Sequence, residues 1–226
     1  MPVSDATVVV SGTGTEVGKT WLAARLARML RTEGISVAAR KPVMSFDSSD
    51  ATTDALVLAS ATGERDDTVC PPHRRYELAM APPMAADALE RPRIALDDLV
   101  DELELPSTGV SLIEGVGGLR SPLAHDGDTL SLVERVEPDY VVVVAPAGLG
   151  AINDVLTTRD ALTDEWPLIV FLNRFDTSDD IHLRNLAWLR DRESIPLAIT
   201  PRRIARCIAK LLPTTLDPDT RTMEVQ

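Results

Sequence analysis

The 226 residues, 44% of them apolar and 4% aromatic, have the size and make-up of one α/β globule with a proper core. With 35 acids against 23 bases the net charge is −12, which argues against nucleic acid or an anionic membrane as partner. No apolar run approaches the ~20 residues needed to cross a bilayer.

Residues 1–5 lack the basic start and apolar core of a signal peptide. The two cysteines, Cys70 and Cys207, lie far apart with no partner motif. Reduced thiols and a cytoplasmic location are therefore expected.

Thr7-Val8-Val9-Val10-Ser11 is a short β-branched run, which predicts a buried strand. Gly12-Thr13-Gly14-Thr15-Glu16-Val17-Gly18-Lys19-Thr20 follows directly. From Trp21 the apolar spacing turns helical, with Leu22, Leu26, Met29 and Leu30 on one face. Strand, glycine loop, Lys-Thr and helix form an arrangement that binds phosphate. Backbone N–H groups curl round an anion, the helix N-terminus adds partial positive charge, Lys19 supplies a full one, and the Thr20 hydroxyl can ligate Mg²⁺. Five residues separate Gly12 from Gly18, one more than in the common form of this loop. A turn that used its glycines for packing alone would leave the Lys-Thr pair unexplained.

Gly34 is placed to cap the first helix. Ser36 to Val43 predicts a second strand, closed by Lys41-Pro42-Val43 because proline cannot donate to a central ladder. The Ser- and Asp-rich stretch 44–50 reads as a mobile loop. Thr52 or Thr53 can cap a helix running to Ala61, with Gly63 beyond it. Asp54, in its first turn, is on local grounds either an acid satisfying the helix dipole or a ligand.

Residues 64–76 read as a polar connection, 84–89 as an Ala-rich helix introduced by Ala81-Pro82-Pro83, and 95–103 as a helix with an acidic, solvated face. Val110 to Ile113 predicts a strand running into Glu114-Gly115-Val116-Gly117-Gly118. An acid at the carboxyl end of a buried strand is where α/β nucleotide enzymes hold Mg²⁺.

A helix over 129–136 and a very apolar strand over 140–145 come next. That strand meets a second glycine-bearing turn, 146–153, which opens a helix to about Leu162. Its N–H groups near Gly148 and Gly150 either receive an anion such as a carboxylate or serve tight packing. Leu168 to Leu172 predicts a strand ending in Asn173-Arg174-Phe175-Asp176, whose spacing resembles the Asn-Lys-x-Asp base-reading turn of GTPases. A helix over 181–192, a strand over 196–199 and a helix over 202–211 complete a single domain, 1–212, before a polar tail, 213–226.

Strands and helices alternate throughout, which predicts an α/β fold: a doubly wound, mainly parallel sheet with helices on both faces. Lys19, Lys41, Glu114, Gly148 and Asn173 all fall at strand carboxyl ends and are expected to share one crevice.

These motifs together resemble the dethiobiotin synthetase family. The loop Gly12 to Thr20 with its extra residue carries the resemblance, with Lys41-Pro42-Val43 and Ser45, Asp54-Ala55-Leu56, Glu114 to Gly118, and Asn173. It spans residues 7 to 201 and implies a P-loop NTPase-like ligase acting with ATP and Mg²⁺. An amine of 7,8-diaminononanoate captures CO₂ (from bicarbonate) as a carbamate, the carbamate attacks the γ-phosphate, and the second amine closes the urea ring of dethiobiotin, releasing ADP and phosphate.

The resemblance also implies roles. Lys19 holds the β/γ-phosphates and Lys41, the catalytic lysine, neutralises carbamate and γ-phosphate. Thr20, Asp54 and Glu114 surround Mg²⁺. Glu16, Val17, Gly18, Trp21, Gly115, Val116, Gly117, Arg174 and Pro201 lie along the nucleotide, with Asn173 reading the purine. Thr15 and Ser45 contact the diamine end. Gly148, Gly150 and Asn153 receive the substrate carboxylate, contributed by the partner subunit of a homodimer.

Some positions depart from the family pattern. Val116 stands where the glycine segment commonly has alanine, and Ala81-Pro82-Pro83-Met84 replaces a Ser-Pro-His-like segment. Arg174 replaces the usual neighbour of the base-reading Asn, and Thr200-Pro201 stands in for a Gly-Glu-Ile-Pro-like segment. These bear on nucleotide choice, ATP against CTP or GTP, more than on the reaction. A partition-type regulatory ATPase would carry a second lysine in the loop, where Thr13, Gly14 and Thr15 stand. A GTPase would have no need of Lys41-Pro42-Val43. A synthetase acting on another amine remains the open alternative.

Only three of the 23 bases are lysine, Lys19, Lys41 and Lys210. Such an acidic, lysine-poor chain either suits high salt, where self-repulsion is screened, or simply reflects codon composition. Its melting temperature is expected to rise between low-salt buffer and molar KCl; no gain with salt would contradict the adaptation.

Overall fold

The computed structural model describes residues 5–162 and 165–212, so the expected tail, 213–226, lies outside the described residues. The valine-rich segment Ala6–Gly12 forms strand β1 and is buried along its whole length. Val8 and Val10 join the core on one side of it and Val9 the core on the other, the period-2 alternation of a strand covered on both faces. Helix α1 (Lys19–Thr32) then packs Leu22, Leu26 and Leu30 inward. It ends as expected at Gly34, whose φ of +80° suits glycine. The N–H groups of Gly34 and Ile35 close onto the carbonyls of Arg31 and Leu30 at 3.0 and 3.1 Å.

The remaining elements are β2 (Val37–Arg40), β3 (Met44–Ser45), α2 (Asp54–Thr62), α3 (Asp66–Val69), β4 (Arg75–Tyr76), α4 (Pro82–Ala88), α5 (Leu96–Asp101) and β5 (Val110–Glu114). After them come α6 (Thr129–Val136), β6 (Tyr140–Pro146), α7 (Ala151–Leu162), β7 (Leu168–Asn173), α8 (Asp180–Asp191), β8 (Leu197–Ala198) and α9 (Pro201–Ala209). Six strands form one sheet in the order β2-β5-β1-β6-β7-β8, every pairing parallel. Residues of α1, α2, α3 and α9 pack on one face, and residues of α4 to α8 on the other. This is the doubly wound α/β sheet that the alternation of elements predicts.

The chain winds to one side of β1 for β2 and β5, then crosses to its other side for β6, β7 and β8. That reversal opens a crevice at the carboxyl end of β1. The register sets what faces it. Val10 lies level with Glu114 and Arg40 with Ile113, so Lys41, one residue on, comes level with Glu114.

Four expectations are corrected. The second strand stops at Arg40 rather than Val43, because the Lys41 N–H turns to the carbonyl of Val69 at 2.7 Å and Pro42 has no donor. The stretch 44–50 begins with an ordered pair, Met44–Ser45, bonded in parallel to Arg75–Tyr76. The connection 64–76 contains α3 and a 3₁₀ turn, Pro72–Arg74. Helix α4 starts at Pro82, earlier than expected, since a proline in the first helical turn forfeits no hydrogen bond. Among the described residues no helix is long and apolar enough to cross a membrane.

Candidate active site

The loop after β1 is held at both ends. Thr13 N–H donates to the Val144 carbonyl of β6 at 2.9 Å, and the buried Val17 side chain packs into the core beneath the loop. Gly12 lies so close to Val17 that a Cβ there would meet its methyl group at 2.7 Å. Gly18, at φ +102°, caps α1 and delivers Lys19 and Thr20 as its first two residues. The Lys19 ammonium donates across the loop to the Gly14 carbonyl at 2.8 Å.

Three other elements bring charge to the same place. Lys41 Nζ sits 2.6 Å from Glu114 Oε1 and 2.8 Å from Asp54 Oδ2, and also donates to the Gly115 carbonyl at 3.1 Å. Thr20 Oγ1 lies 2.8 Å from both Asp54 Oδ1 and Glu114 Oε1. Thr53 caps α2, its hydroxyl accepting from Leu56 N–H, and so leaves the Asp54 carboxylate to face the loop. The two Asp54 oxygens go to Thr20 and Lys41.

Burial and mutual attraction compete in this cluster. Burial, with help from the Lys41 charge, lowers the Lys19 pKa to about 8. Burial also opposes charge on Lys41, but Glu114 and Asp54 outweigh it and hold that ammonium above the ordinary lysine range. For Asp54 burial is likewise overcome, by Lys41 and then Thr20, and its pKa falls. Glu114, fully enclosed and beside another acid, is pushed up by burial first and by Asp54 next.

The second oxygen, Glu114 Oε2, is buried and has no hydrogen-bond partner among the described residues. A buried carboxylate oxygen left bare is costly, and a small hard cation would satisfy it. No cluster of three or more His, Cys, Asp or Glu residues able to hold a metal occurs among the described residues. Mg²⁺ needs none, since it takes one or two carboxylates and completes its shell with phosphate oxygens and water. Thr20, Asp54 and Glu114 therefore fit such an ion.

These groups line a cavity of about 810 Å³. Thr15, Glu16, Gly18, Lys19, Thr20 and Trp21 form one wall, and Lys41, Asp54 and Glu114 the floor. Val116 and Gly117 stand beside it, and Ser45, Phe46 and Met80 close the far end. A second cavity of about 720 Å³ lies by the amino ends of β7 and β8, near Leu168 and Pro196; its Arg159 is paired with Asp160 and Glu193.

A family model described as an AAA domain matches residues 6–199. The ATP-dependent dethiobiotin synthetase BioD of Caulobacter sp. (strain K31) is 38% identical over 159 residues, 68% of each chain. The enzyme of the same name from Haloferax mediterranei is 33% identical over 196 residues, 85% of this chain and 82% of that one. This chain belongs to the dethiobiotin synthetase family. It is thus a member of a family of ligases that form a C–N bond. Solved structures share the fold at low identity. The Pyrococcus furiosus cell division ATPase MinD superposes with a TM-score of 0.53 at 18% identity, covering 92% of this chain and 89% of that one. A putative plasmid partition protein from Borrelia burgdorferi bound to AMPPNP gives 0.52 at 12%, covering 88% and 87%.

Not every residue that the dethiobiotin synthetase motifs point to reaches the cavity. Val17 and Gly115 lie buried behind its wall. Asn173 is buried below the loop, its Nδ2 donating to the Val17 carbonyl at 2.8 Å and its Oδ1 accepting from Arg174 N–H at 2.9 Å. Arg174 and Pro201 are likewise outside the lining. The turn with Gly148, Gly150 and Asn153 is also absent from the lining. Leu149 is 88% exposed, the exposed Asn153 amide donates to Asp154 at 3.3 Å, and Asn185 ties down the carbonyls of Ala147 and Gly148. The expected single crevice therefore holds Lys19, Lys41 and Glu114 but not Gly148 or Asn173.

Sequence reading named Ser45 on the far wall but passed over its neighbours Phe46 and Met80. Ser45 reaches it because its hydroxyl donates to the Met80 carbonyl, and the two-residue pairing of β3 with β4 sets Phe46 beside it. Ser121 also lines the cavity and accepts from Gly118 N–H at 2.8 Å, pinning the glycine segment. The serine three residues after Gly118 was its only sequence signal.

Proposed function

We propose that the protein is a dethiobiotin synthetase: a cytoplasmic, Mg²⁺-dependent enzyme that carboxylates 7,8-diaminononanoate and closes it to the cyclic urea at the cost of ATP. The observation that carries the reading is the convergence of Lys19, Lys41, Thr20, Asp54 and Glu114 on one cavity beside a phosphate loop.

The chemistry follows from charge. One amine of the diamine adds to CO₂ and loses a proton, giving a carbamate. A carbamate oxygen attacks the γ-phosphorus and ADP leaves, forming a carbamic–phosphoric anhydride. The second amine attacks the carbamoyl carbon, phosphate departs, and the ureido ring is closed. Carbamate and triphosphate are both anions, so the step that joins them needs positioned positive charge above all. Lys19 holds the β/γ-phosphates. Lys41, kept protonated by its two carboxylates, neutralises carbamate and γ-phosphate together. Thr20, Asp54 and Glu114 would hold Mg²⁺, which when bound screens the phosphate oxygens.

Thr15, on the loop, and Ser45, at the far end of the cavity, contact the diamine. Glu16, Gly18, Trp21, Val116 and Gly117 flank the nucleotide. Val17 and Gly115 support that wall from behind, and Arg174 and Pro201 lie toward the base. The Gly148–Asn153 turn binds the substrate carboxylate of a second copy in a homodimer; its exposure, and its absence from the lining of its own chain's cavity, support that reading.

The purified protein, given diaminononanoate, bicarbonate, Mg²⁺ and ATP, CTP or GTP in turn, should release phosphate only when the diamine is present. Lys41→Ala should lower turnover about a hundredfold or more while leaving nucleotide binding in place. Release independent of the diamine, or near-native turnover by that variant, would overturn the assignment.

Binding should also follow pH. Free Lys19 titrates at about 8, and a bound triphosphate favours its charged form and raises that value. Affinity for Mg-ATP is then full below the free pKa and falls as pH rises through it, by up to tenfold per unit. Roughly tenfold weaker binding is expected between about pH 7 and pH 9.5, with Lys19→Arg insensitive over that range. A flat profile for the wild-type protein would contradict the role of Lys19.

A further inference from the structure

The bond from Asn173 to Val17 has a consequence for the loop. In a trans peptide the C=O of one residue and the N–H of the next point in opposite directions. The Val17 carbonyl is taken by Asn173 Nδ2 at 2.8 Å, in a buried contact, so the Gly18 N–H is turned to the opposite side. Glycine tolerates either orientation of such a peptide, and nothing in Gly18 itself selects one. The selection lies in Asn173. Its Oδ1 accepts from Arg174 N–H at 2.9 Å, which orients the amide so that the NH₂ end faces the loop. The fit is close: a Cβ on Gly18 would lie 2.1 Å from Asn173 Nδ2.

We infer that Asn173 is a positioning residue for the phosphate loop. By gripping the Val17 carbonyl across 156 residues of chain, it fixes the Val17–Gly18 peptide with the Gly18 N–H presented to the triphosphate, whatever base the nucleotide carries. This differs from the purine-reading role that the family motif implies for the same residue, and it rests on the reading of the loop as a nucleotide site. Without Asn173 the Val17 carbonyl loses this buried hydrogen bond, and the peptide is free to turn.

The test compares Mg-ATP with inorganic tripolyphosphate, which has no base. Both are titrated into the full-length wild-type protein, Asn173→Ala and Asn173→Asp. The Asp variant keeps the side-chain shape and the bond from Arg174 N–H but puts an acceptor against the Val17 carbonyl, and it serves if the alanine variant does not fold. Thermal melts establish that the titrated protein is folded. Both ligands are expected to bind about tenfold weaker or worse to each folded variant, by the same factor. Loss of ATP affinity with tripolyphosphate unchanged would make Asn173 a base reader and overturn the inference. Unchanged affinity for both, at whatever melting temperature, would reduce it to a structural residue. A wild-type protein that bound neither ligand would instead fail the nucleotide reading itself, and this inference with it.

Discussion

The site depends on one buried ammonium held between two carboxylates. Lys41 is 3% exposed and Glu114 is 1% exposed, and each alone would be costly to enclose. Together, with Asp54 and the Thr20 hydroxyl closing the ring, the charges are retained where water is scarce and electrostatic effects are strong. The sheet makes this possible. Parallel pairing of β2 with β5 and of β5 with β1 sets Lys41, Glu114 and the start of the phosphate loop at one height, and α2 lays Asp54 against them. Register is thus a catalytic variable: a slip of one residue along β5 would turn Glu114 to the other face of the sheet.

The fold alone does not specify this chemistry. MinD and a plasmid partition protein share the fold closely enough to superpose over most of the chain, and a fold hosts many functions. This site carries a second lysine. It comes from the end of β2, not from the loop, and reaches the loop's threonine through shared carboxylates.

Much of this was legible in sequence because the information is local. The loop from Gly12 to Thr20 is contiguous, and each main-sheet strand is an apolar run bounded by turn residues, so the α/β alternation could be read directly. Lys41 and Glu114 could be marked as strand-end residues, although their contact spans 73 positions and only the sheet order reveals it. Two-residue strands such as β3 and β4 have no period to detect, which left Phe46 and Met80 beside Ser45 unread. Asn173 is the sharper lesson. Its spacing to Asp176 resembled a base-reading turn, whereas its amide is directed at the Val17 carbonyl, a partner that no sequence pattern announces. The Gly148 turn was placed at a strand end correctly, but strand-end position does not say which way a turn opens, and this one opens to solvent.

The most direct measurement is the structure of the complex with Mg²⁺, a non-hydrolysable ATP analogue and the diamine. The account predicts both ammonium groups, Lys19 and Lys41, within about 3 Å of oxygens on the terminal phosphate or the carbamate, with Thr20, Asp54 and Glu114 around the metal. A complex in which Lys41 stays out of reach of the reacting oxyanions, or in which the triphosphate lies elsewhere than on the loop, would contradict it.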